Sequence, residues 1–169
     1  MLGDLEKARE EIAKNRAEVI ERLVQFSMTD LLLFWGQEKD LMERQTKIWG
    51  PILAWAEEKM KAKFVTTQGL DVPQENQTSG YRLKVFLESL SDKELTAFYA
   101  AALQMRSVLL AAALVRGKIN AEEAFQAAFL DELWQAENWG SDEEAEKRRQ
   151  TIKSEIEEIE RFLHEPDKK

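Results

Sequence analysis

Apolar residues recur at intervals of three, four and seven along most of this chain, which is the spacing of a buried helix face. The clearest case is 120–140, where the spacing predicts one amphipathic helix. Its apolar stripe consists of Phe125, Ala128, Phe129, Ala136 and Trp139. At ~100° per residue, Glu132 falls in the middle of that stripe and Gln135 falls at its edge.

A carboxylate within an apolar stripe either has a partner or is kept for a reason other than stability. Two interpretations of Glu132 stay open. It can be a structural carboxylate that is solvated or paired with Arg106 or another base. It can instead be a recognition carboxylate, held on a rigid helix to contact a partner protein.

Capping patterns divide the second half of the chain into helices. Ser91-Asp92-Lys93-Glu94 is a capping box and opens a long Ala-rich helix that is predicted to end at Gly117. A similar signal at 120–123 opens the next helix, which ends at Gly140. Another at 141–144 opens the last helix, which runs to about Leu163. Because the loops are short, successive helices are expected to be antiparallel.

Polar residues interrupt the Ala-rich helix at Gln104, Arg106 and Ser107. They are either satisfied structural groups or part of a polar cluster with Glu132 and Gln135. The central Arg106 also argues against a membrane span at 97–115, so an enclosed central helix is the better interpretation.

The first half carries weaker signals. Residues 4–26 are predicted to be helical, with a capping box at 15–18 that divides them near Lys14. A second helix at 37–61 contains Pro51, which should kink or restart it, and Trp49 and Trp55 are expected to pack in or near the core. The remaining elements are a short apolar run at 31–35, an extended segment at 64–67, a polar loop at 68–79 and a short helix at 81–90.

The run Leu31-Leu32-Leu33-Phe34-Trp35 is too short for periodicity to assign, so it can be a buried strand or an extended plug. If it is partly exposed, it forms an adhesive patch suited to self-association.

These patterns predict a mainly α-helical fold. Only 7 Gly and 3 Pro leave few turns. We expect a single multi-helix domain over 1–169 with antiparallel or orthogonal helices and at most one or two short strands near 31–35 and 63–67. Its parts are N-terminal helices at 1–26, a kinked helix plus loop at 27–80 and a helical bundle core at 81–164.

Composition excludes several classes of function. A net charge of −8 disfavours nucleic-acid binding. With no Cys and only His164, disulfides, Cys-ligated zinc and His-based triads or metal sites are not expected. Asp131 and Glu132 are adjacent and point to different faces of a helix, so they are poorly placed as an acid–base pair. We therefore predict a protein that is not an enzyme, with no cofactor and no metal.

Taken in order, pieces of the sequence resemble the helical C-terminal domain of the Atp12 family, the assembly chaperones for the alpha subunit of the F-type ATP synthase catalytic head. The resemblance covers about 15–163. The matching pieces are Thr29-Asp30-Leu31-Leu32, Arg44-Gln45 with Trp49, Pro51 and Trp55, Gly69 with Gln74, Ser107 with Ala113-Leu114, Gly117 and Ala124, and finally Asp131-Glu132, Gln135, Trp139-Gly140 and Asp142-Glu143-Glu144.

The resemblance implies a protein that binds the new alpha subunit and shields its assembly surface until the beta subunit takes its place, without nucleotide or metal. The family's acidic position falls on Glu132, with Gln135 and Trp139 beside it. Asp131 and Arg106 complete the expected partner-binding set. The alternative is a helical interaction or self-associating module without chaperone activity.

Two departures from the family pattern carry expectations of their own. The family normally has a β-rich N-terminal domain, for which this chain leaves no room, so that domain is expected to be absent. Leu33-Phe34 stands where the family often has Cys-Tyr, which preserves apolar character. The acidic N-terminus, with Asp4 and Glu6, is unlike a presequence and favours a bacterial cytoplasm over a mitochondrial matrix.

Overall fold

A computed structural model describes residues 2–68 and 77–166 of the chain, and the side chains of residues 4–68 and 79–166. Gly69 and Gln74 lie outside the described residues. The helices are α1 (Leu2–Lys14), α2 (Arg16–Phe26), α3 (Lys39–Met60), α4 (Gln77–Glu88), α5 (Asp92–Met105), α6 (Val108–Val115), α7 (Ala121–Ala128), α8 (Leu130–Trp139) and α9 (Glu143–His164). The prediction of a mainly α-helical fold is confirmed.

Short elements connect α2 to α3. Ser27–Thr29 and Leu31–Leu33 form single 3-10 turns, and β1 (Phe34–Trp35) follows at once. It pairs in parallel with β2 (Thr67–Gln68), with Phe34 opposite Thr67. The two short strands were therefore predicted correctly. Leu32 and Leu33 are buried, whereas Leu31, Phe34 and Trp35 are half-buried, so only part of the run reaches the surface and the adhesive patch stays a prediction.

The centre of the fold is the pair of helices α5 and α6. Helices α1 and α9 pack against α5, whereas α3 and α7 pack against α6. Every residue from Val108 to Leu114 is buried. A helix that is apolar on all sides has to be enclosed by other elements. Trp49 of α3 is also fully buried and donates its indole N–H to the carbonyl oxygen of Ala127 over 2.8 Å, which satisfies its polar atom.

Two of the predicted long helices are wrong, because each is broken into two. The Ala-rich helix ends at Met105, where Arg106 adopts the left-handed conformation at φ 56°. Ser107 is extended and caps α6, accepting from the N–H of Leu110. The helix expected over 120–140 breaks at Phe129, which has φ −108° and ψ 18°. Neither break contains the Gly or Pro that would mark it in a sequence.

The smaller helix predictions have mixed outcomes. The capping boxes that begin at Ser91 and Asn120 are confirmed, with both reciprocal hydrogen bonds present. The chain does divide after Lys14, but Asn15 makes no capping hydrogen bond, so that capping box is wrong. The cap of α9 is Asp142 rather than Ser141. α3 does not restart at Pro51, which lies inside one continuous helix.

Asp30 fixes the break between α5 and α6. Its carboxylate accepts from the Ser107 hydroxyl over 2.7 Å and from the N–H groups of Val108, Leu109 and Leu32 over 2.7, 3.1 and 2.9 Å. These donors include the free N–H groups at the start of α6. Burial raises the pKa of Asp30 to about 6, while the four hydrogen bonds act in the opposite direction.

Candidate functional site

α8 is fastened to its neighbours largely by polar contacts. Only Leu130 and Trp134 of this helix are buried. Helix α3 lies on one side of it and the start of α9 on the other. Because the apolar contribution is small, the position of α8 depends on which charged and amide groups face each other.

Glu132 faces α9. Its Oε1 atom accepts from Arg148 Nη2 over 2.6 Å and from Arg149 Nη1 over 2.9 Å. The Glu132 side chain is 27% exposed, whereas those of Arg148 and Arg149 are 56% and 8% exposed. Of the partners expected for Glu132, Arg106 is wrong and pairing with another base is confirmed, because both bases come from the following helix.

Arg149 is the structural member of this group. Its other guanidinium nitrogen donates to the Ser141 hydroxyl over 2.7 Å, in the turn between α8 and α9. A nearly buried guanidinium needs both a counter-charge and hydrogen-bond acceptors. Glu132 supplies the counter-charge, and Glu132 and Ser141 together supply the hydrogen-bond acceptors. Gly140, at φ 82°, provides the turn that brings them together.

Asp131 faces α3 instead. Its carboxylate accepts from Gln45 Nε2 over 2.9 Å, and Gln45 Oε1 accepts from the N–H of Gly36 over 3.0 Å. Burial raises the pKa of Asp131, and the hydrogen bond from Gln45 and the positive charge of Arg106 lower it. Arg106 itself has an exposed side chain at the end of α5.

Two further contacts join α8 to α3. Trp134 donates its indole N–H to Asp40 Oδ2 over 2.9 Å. Arg44 Nη2 lies 2.6 Å from Glu137 Oε2. An open groove of about 510 Å³ lies beside these contacts, and its lining consists of Arg44, Ile48, Gln126, Leu130, Leu133, Ala136, Glu137, Ser141, Glu146 and Arg149.

Glu132, Gln135 and Trp139 lie on one face of α8, three and seven positions apart. Gln135 is exposed, and Trp139 is 72% exposed. The Trp139 ring meets the ring of Trp134 edge to face, with 5.3 Å between their centroids. Exposed Trp side chains are rare on surfaces that only meet water. The end of α8 is therefore a candidate for contact with another macromolecule.

The polar cluster that was expected between α5 and α8 does not form as predicted. Ser107 is buried and donates to Asp30. Arg106 acts electrostatically on Asp131, and Glu132 is paired with α9. The prediction of a cluster that joins Gln104, Arg106 and Ser107 to Glu132 and Gln135 is wrong, because the break at Arg106 turns Ser107 towards Asp30.

Sequence reasoning missed Arg148, Arg149 and the role of Gln45. A signal for the two arginines was present: Lys147-Arg148-Arg149 is a basic triplet early in α9. The short turn after Gly140 returns α9 alongside α8, which places the triplet near the first turn of α8. Gln45 was singled out only through the resemblance, in Arg44-Gln45, and no local pattern indicates its two partners, which lie in a loop and in a distant helix.

The described side chains contain no group of three or more His, Asp or Glu residues arranged to hold a metal ion. Within residues 2–68 and 77–166, no helix has both the length and the apolar content required to cross a bilayer.

Comparison with known proteins identifies the family. Residues 3–57 match the sequence profile described as ATP12 chaperone protein. The crystal structure of Atp12 from Paracoccus denitrificans superimposes with a TM-score of 0.87 at 30% sequence identity, covering 93% of this chain and 68% of that chain. The chain belongs to the ATP12 chaperone family. The resemblance seen in the sequence is thereby confirmed.

Other ATP12 relatives differ in length. The Atu1473 protein of Agrobacterium tumefaciens matches with a TM-score of 0.82 at 32% identity, over 92% of this chain and 59% of that chain. The mitochondrial protein atp12 of Schizosaccharomyces pombe is 26% identical over 131 residues, which is 73% of this chain and 45% of the relative. The chain thus spans less than half the length of this curated ATP12 relative.

Proposed function

We propose that this chain is an assembly chaperone that binds the unassembled alpha subunit of the F-type ATP synthase catalytic head and shields its assembly surface. The observation that carries the proposal is the 30% identity and common fold with Atp12 of Paracoccus denitrificans, which extend over 93% of the chain. Family membership supports the chaperone class, and the choice of the alpha subunit comes from the sequence resemblance.

The proposed client surface is the exposed face of α8, with Glu132, Gln135 and Trp139, flanked by Asp131 and Arg106. The exposed Trp139 indole favours this location, because Trp is enriched among residues that carry binding energy. The self-associating alternative receives no such support, since the apolar run at 31–35 is buried or half-buried.

We propose that the protein acts by binding alone and performs no catalysis. The two carboxylates of α8 are each committed to a neighbouring helix, Asp131 to Gln45 and Glu132 to two arginines. Groups held in this way are poorly suited to deliver or remove a proton. A bacterial cytoplasm is the proposed location, in keeping with the bacterial source of two solved relatives.

The test is co-expression of the chain with an F-type ATP synthase alpha subunit in the absence of the beta subunit, followed by size-exclusion chromatography. We expect a soluble complex containing both chains. An alpha subunit that aggregates beside the free helical protein would contradict the proposal that this chain suffices for client binding.

Variants locate the surface. Trp139→Ala should reduce the amount of complex. The matched control is Tyr81→Ala on α4, which removes another exposed aromatic ring, 63% exposed, from a different part of the molecule. Equal loss of complex in both variants would contradict the placement of the client surface on α8.

A further inference from the structure

The two arginines that bind Glu132 differ in what they can reach. Arg149 is nearly buried and both of its terminal nitrogens have partners within the chain, Glu132 and Ser141. Arg148 is 56% exposed, and its contact with Glu132 uses Nη2. A guanidinium carries five N–H donors, so most of those on Arg148 remain open to a partner molecule.

The charge of this group is unbalanced. One carboxylate faces two guanidinium groups, which leaves a net single positive charge on Glu132, Arg148 and Arg149 together. The neighbouring Arg44 is matched by Glu137. Within this group of three residues, the side chain most open to solvent is therefore a cation, Arg148, although the family's acidic residue lies at its centre.

The Arg148 guanidinium is also held in place. Besides the contact with Glu132, its central carbon lies 6.0 Å from the centroid of the Phe129 ring, a geometry that favours a cation. A side chain fixed by a carboxylate and a ring loses little conformational freedom on binding. The exposed Trp139 lies on the same face of α8 as Glu132, about 10 Å further along the helix axis.

We infer that Glu132 is a positioning residue, and that the charged group which meets the client is the guanidinium of Arg148. With Trp139 on the same face of α8, about 10 Å from Glu132, Arg148 fits a client segment that carries an acidic side chain and an apolar one about that distance apart. Arg and Trp are the residue types that most often dominate protein–protein interfaces. This inference rests on the proposed function, because it concerns the contact made with that client.

The test is a double-mutant cycle on the Kd for an F-type ATP synthase alpha subunit, with the single variants Glu132→Gln and Arg148→Ala and the double variant. Arg148→Ala should weaken binding about tenfold. If Glu132 acts only by holding Arg148, Glu132→Gln weakens binding in the parent chain but has no further effect once Arg148 is Ala. An equal loss in both backgrounds would overturn the inference, because Glu132 would then contribute to binding by a route other than Arg148, either by direct client contact or through Arg149.

Two additional measurements distinguish a client contact by Arg148 from a loss of folding stability. Arg148→Lys keeps the charge and should recover part of the affinity lost in Arg148→Ala, whereas thermal unfolding should change little in either variant. The salt dependence of Kd should also become weaker in Arg148→Ala. A lowered melting temperature that accounts for the loss of binding, without rescue by Lys, would contradict the inference.

The matched control is Arg116→Ala. Arg116 likewise pairs with a half-buried glutamate, Glu94, at 3.0 Å, and its guanidinium carbon lies 5.4 Å from the centroid of the Phe86 ring. Its removal should leave the Kd unchanged; a tenfold loss there would overturn the assignment to Arg148. Failure of the parent chain to bind the alpha subunit would instead contradict the proposed function itself and remove the client on which the inference depends.

Discussion

Asp30 and Ser107 lie 77 positions apart in the chain, and their side chains share a 2.7 Å hydrogen bond inside the core. Ser107 Oγ also accepts from the N–H of Leu110, so one hydroxyl both caps α6 and anchors it to the segment after α2. The start of the most buried helix in the described structure thus depends on a carboxylate from the first quarter of the chain.

Replacing Ser107 with Ala should destabilise the fold by about 2 kcal/mol or more, because it removes a helix cap and a donor to the buried Asp30. Ser91→Ala, at the exposed cap of α5, is the control and should cost about 1 kcal/mol. Urea unfolding followed by circular dichroism measures both. Equal losses would show that the contact with Asp30 adds nothing to the cap.

Asp30 also makes stability depend on pH. Its pKa is 3.8 in an unfolded chain and about 6 in the folded protein, so the folded state binds the proton more tightly. The contribution of Asp30 to the free energy of unfolding is therefore fully present below about pH 4. It is lost as the pH rises to about 6, and the total loss is about 3 kcal/mol.

Asp30→Asn cannot ionise, so the difference in unfolding free energy between the parent and this variant should change over that pH interval. The variant is less stable overall, because Asn offers one acceptor oxygen where Asp offers two. If the hydrogen bonds to the carboxylate outweigh its burial, the parent would gain stability with rising pH relative to Asp30→Asn, and the predicted direction would be wrong.

Arg106→Gly should raise stability by about 0.5–1 kcal/mol. Arg106 has φ 56°, a left-handed conformation that Gly adopts without a steric penalty and that other residues adopt at a cost. Gly is the usual residue after a helix end of this kind. Arg106→Ala removes the same side chain but keeps the Cβ, so it is the control and should bring no gain in melting temperature.

Glu132→Lys should lower the unfolding free energy by about 3 kcal/mol, because it leaves the nearly buried Arg149 without a counter-charge and adds a third cation to the group that already holds Arg148 and Arg149. Glu18→Lys is the control. Glu18 pairs with Arg22 on the surface of α2, where both side chains are 63% exposed, and its reversal should cost less than about 1 kcal/mol. A Glu132→Lys variant as stable as Glu18→Lys would show that Arg149 finds another partner.

The sequence predicted elements well where the signal is local. Ser91 with Glu94 and Asn120 with Glu123 lie within one helical turn, and their capping boxes formed as expected. The breaks at Arg106 and Phe129 are not local. The first exists because Asp30 binds the free N–H groups of α6, and neither residue carries a conformational preference that would reveal it.

The candidate site was predicted in part for the same reason. Periodicity singled out Glu132, but the buried stripe on which this rested is wrong, because the helix breaks at Phe129 and Trp139 is exposed. The partners of Glu132 could not be assigned, because they depend on how α9 returns after Gly140 and on which side of α8 it packs. Asp131 and Glu132 are adjacent, yet one reaches α3 and the other α9.

The wholly apolar α6 has a consequence for how the chain is made. One of the helices that pack against α6 is α9, the last of the described helices. During synthesis, α6 leaves the ribosome before α9 does, so the part of its apolar surface that α9 covers stays exposed until α9 has emerged. Shortened products that end before α9 should therefore aggregate, and ribosome-bound chains of that length are expected to recruit general chaperones.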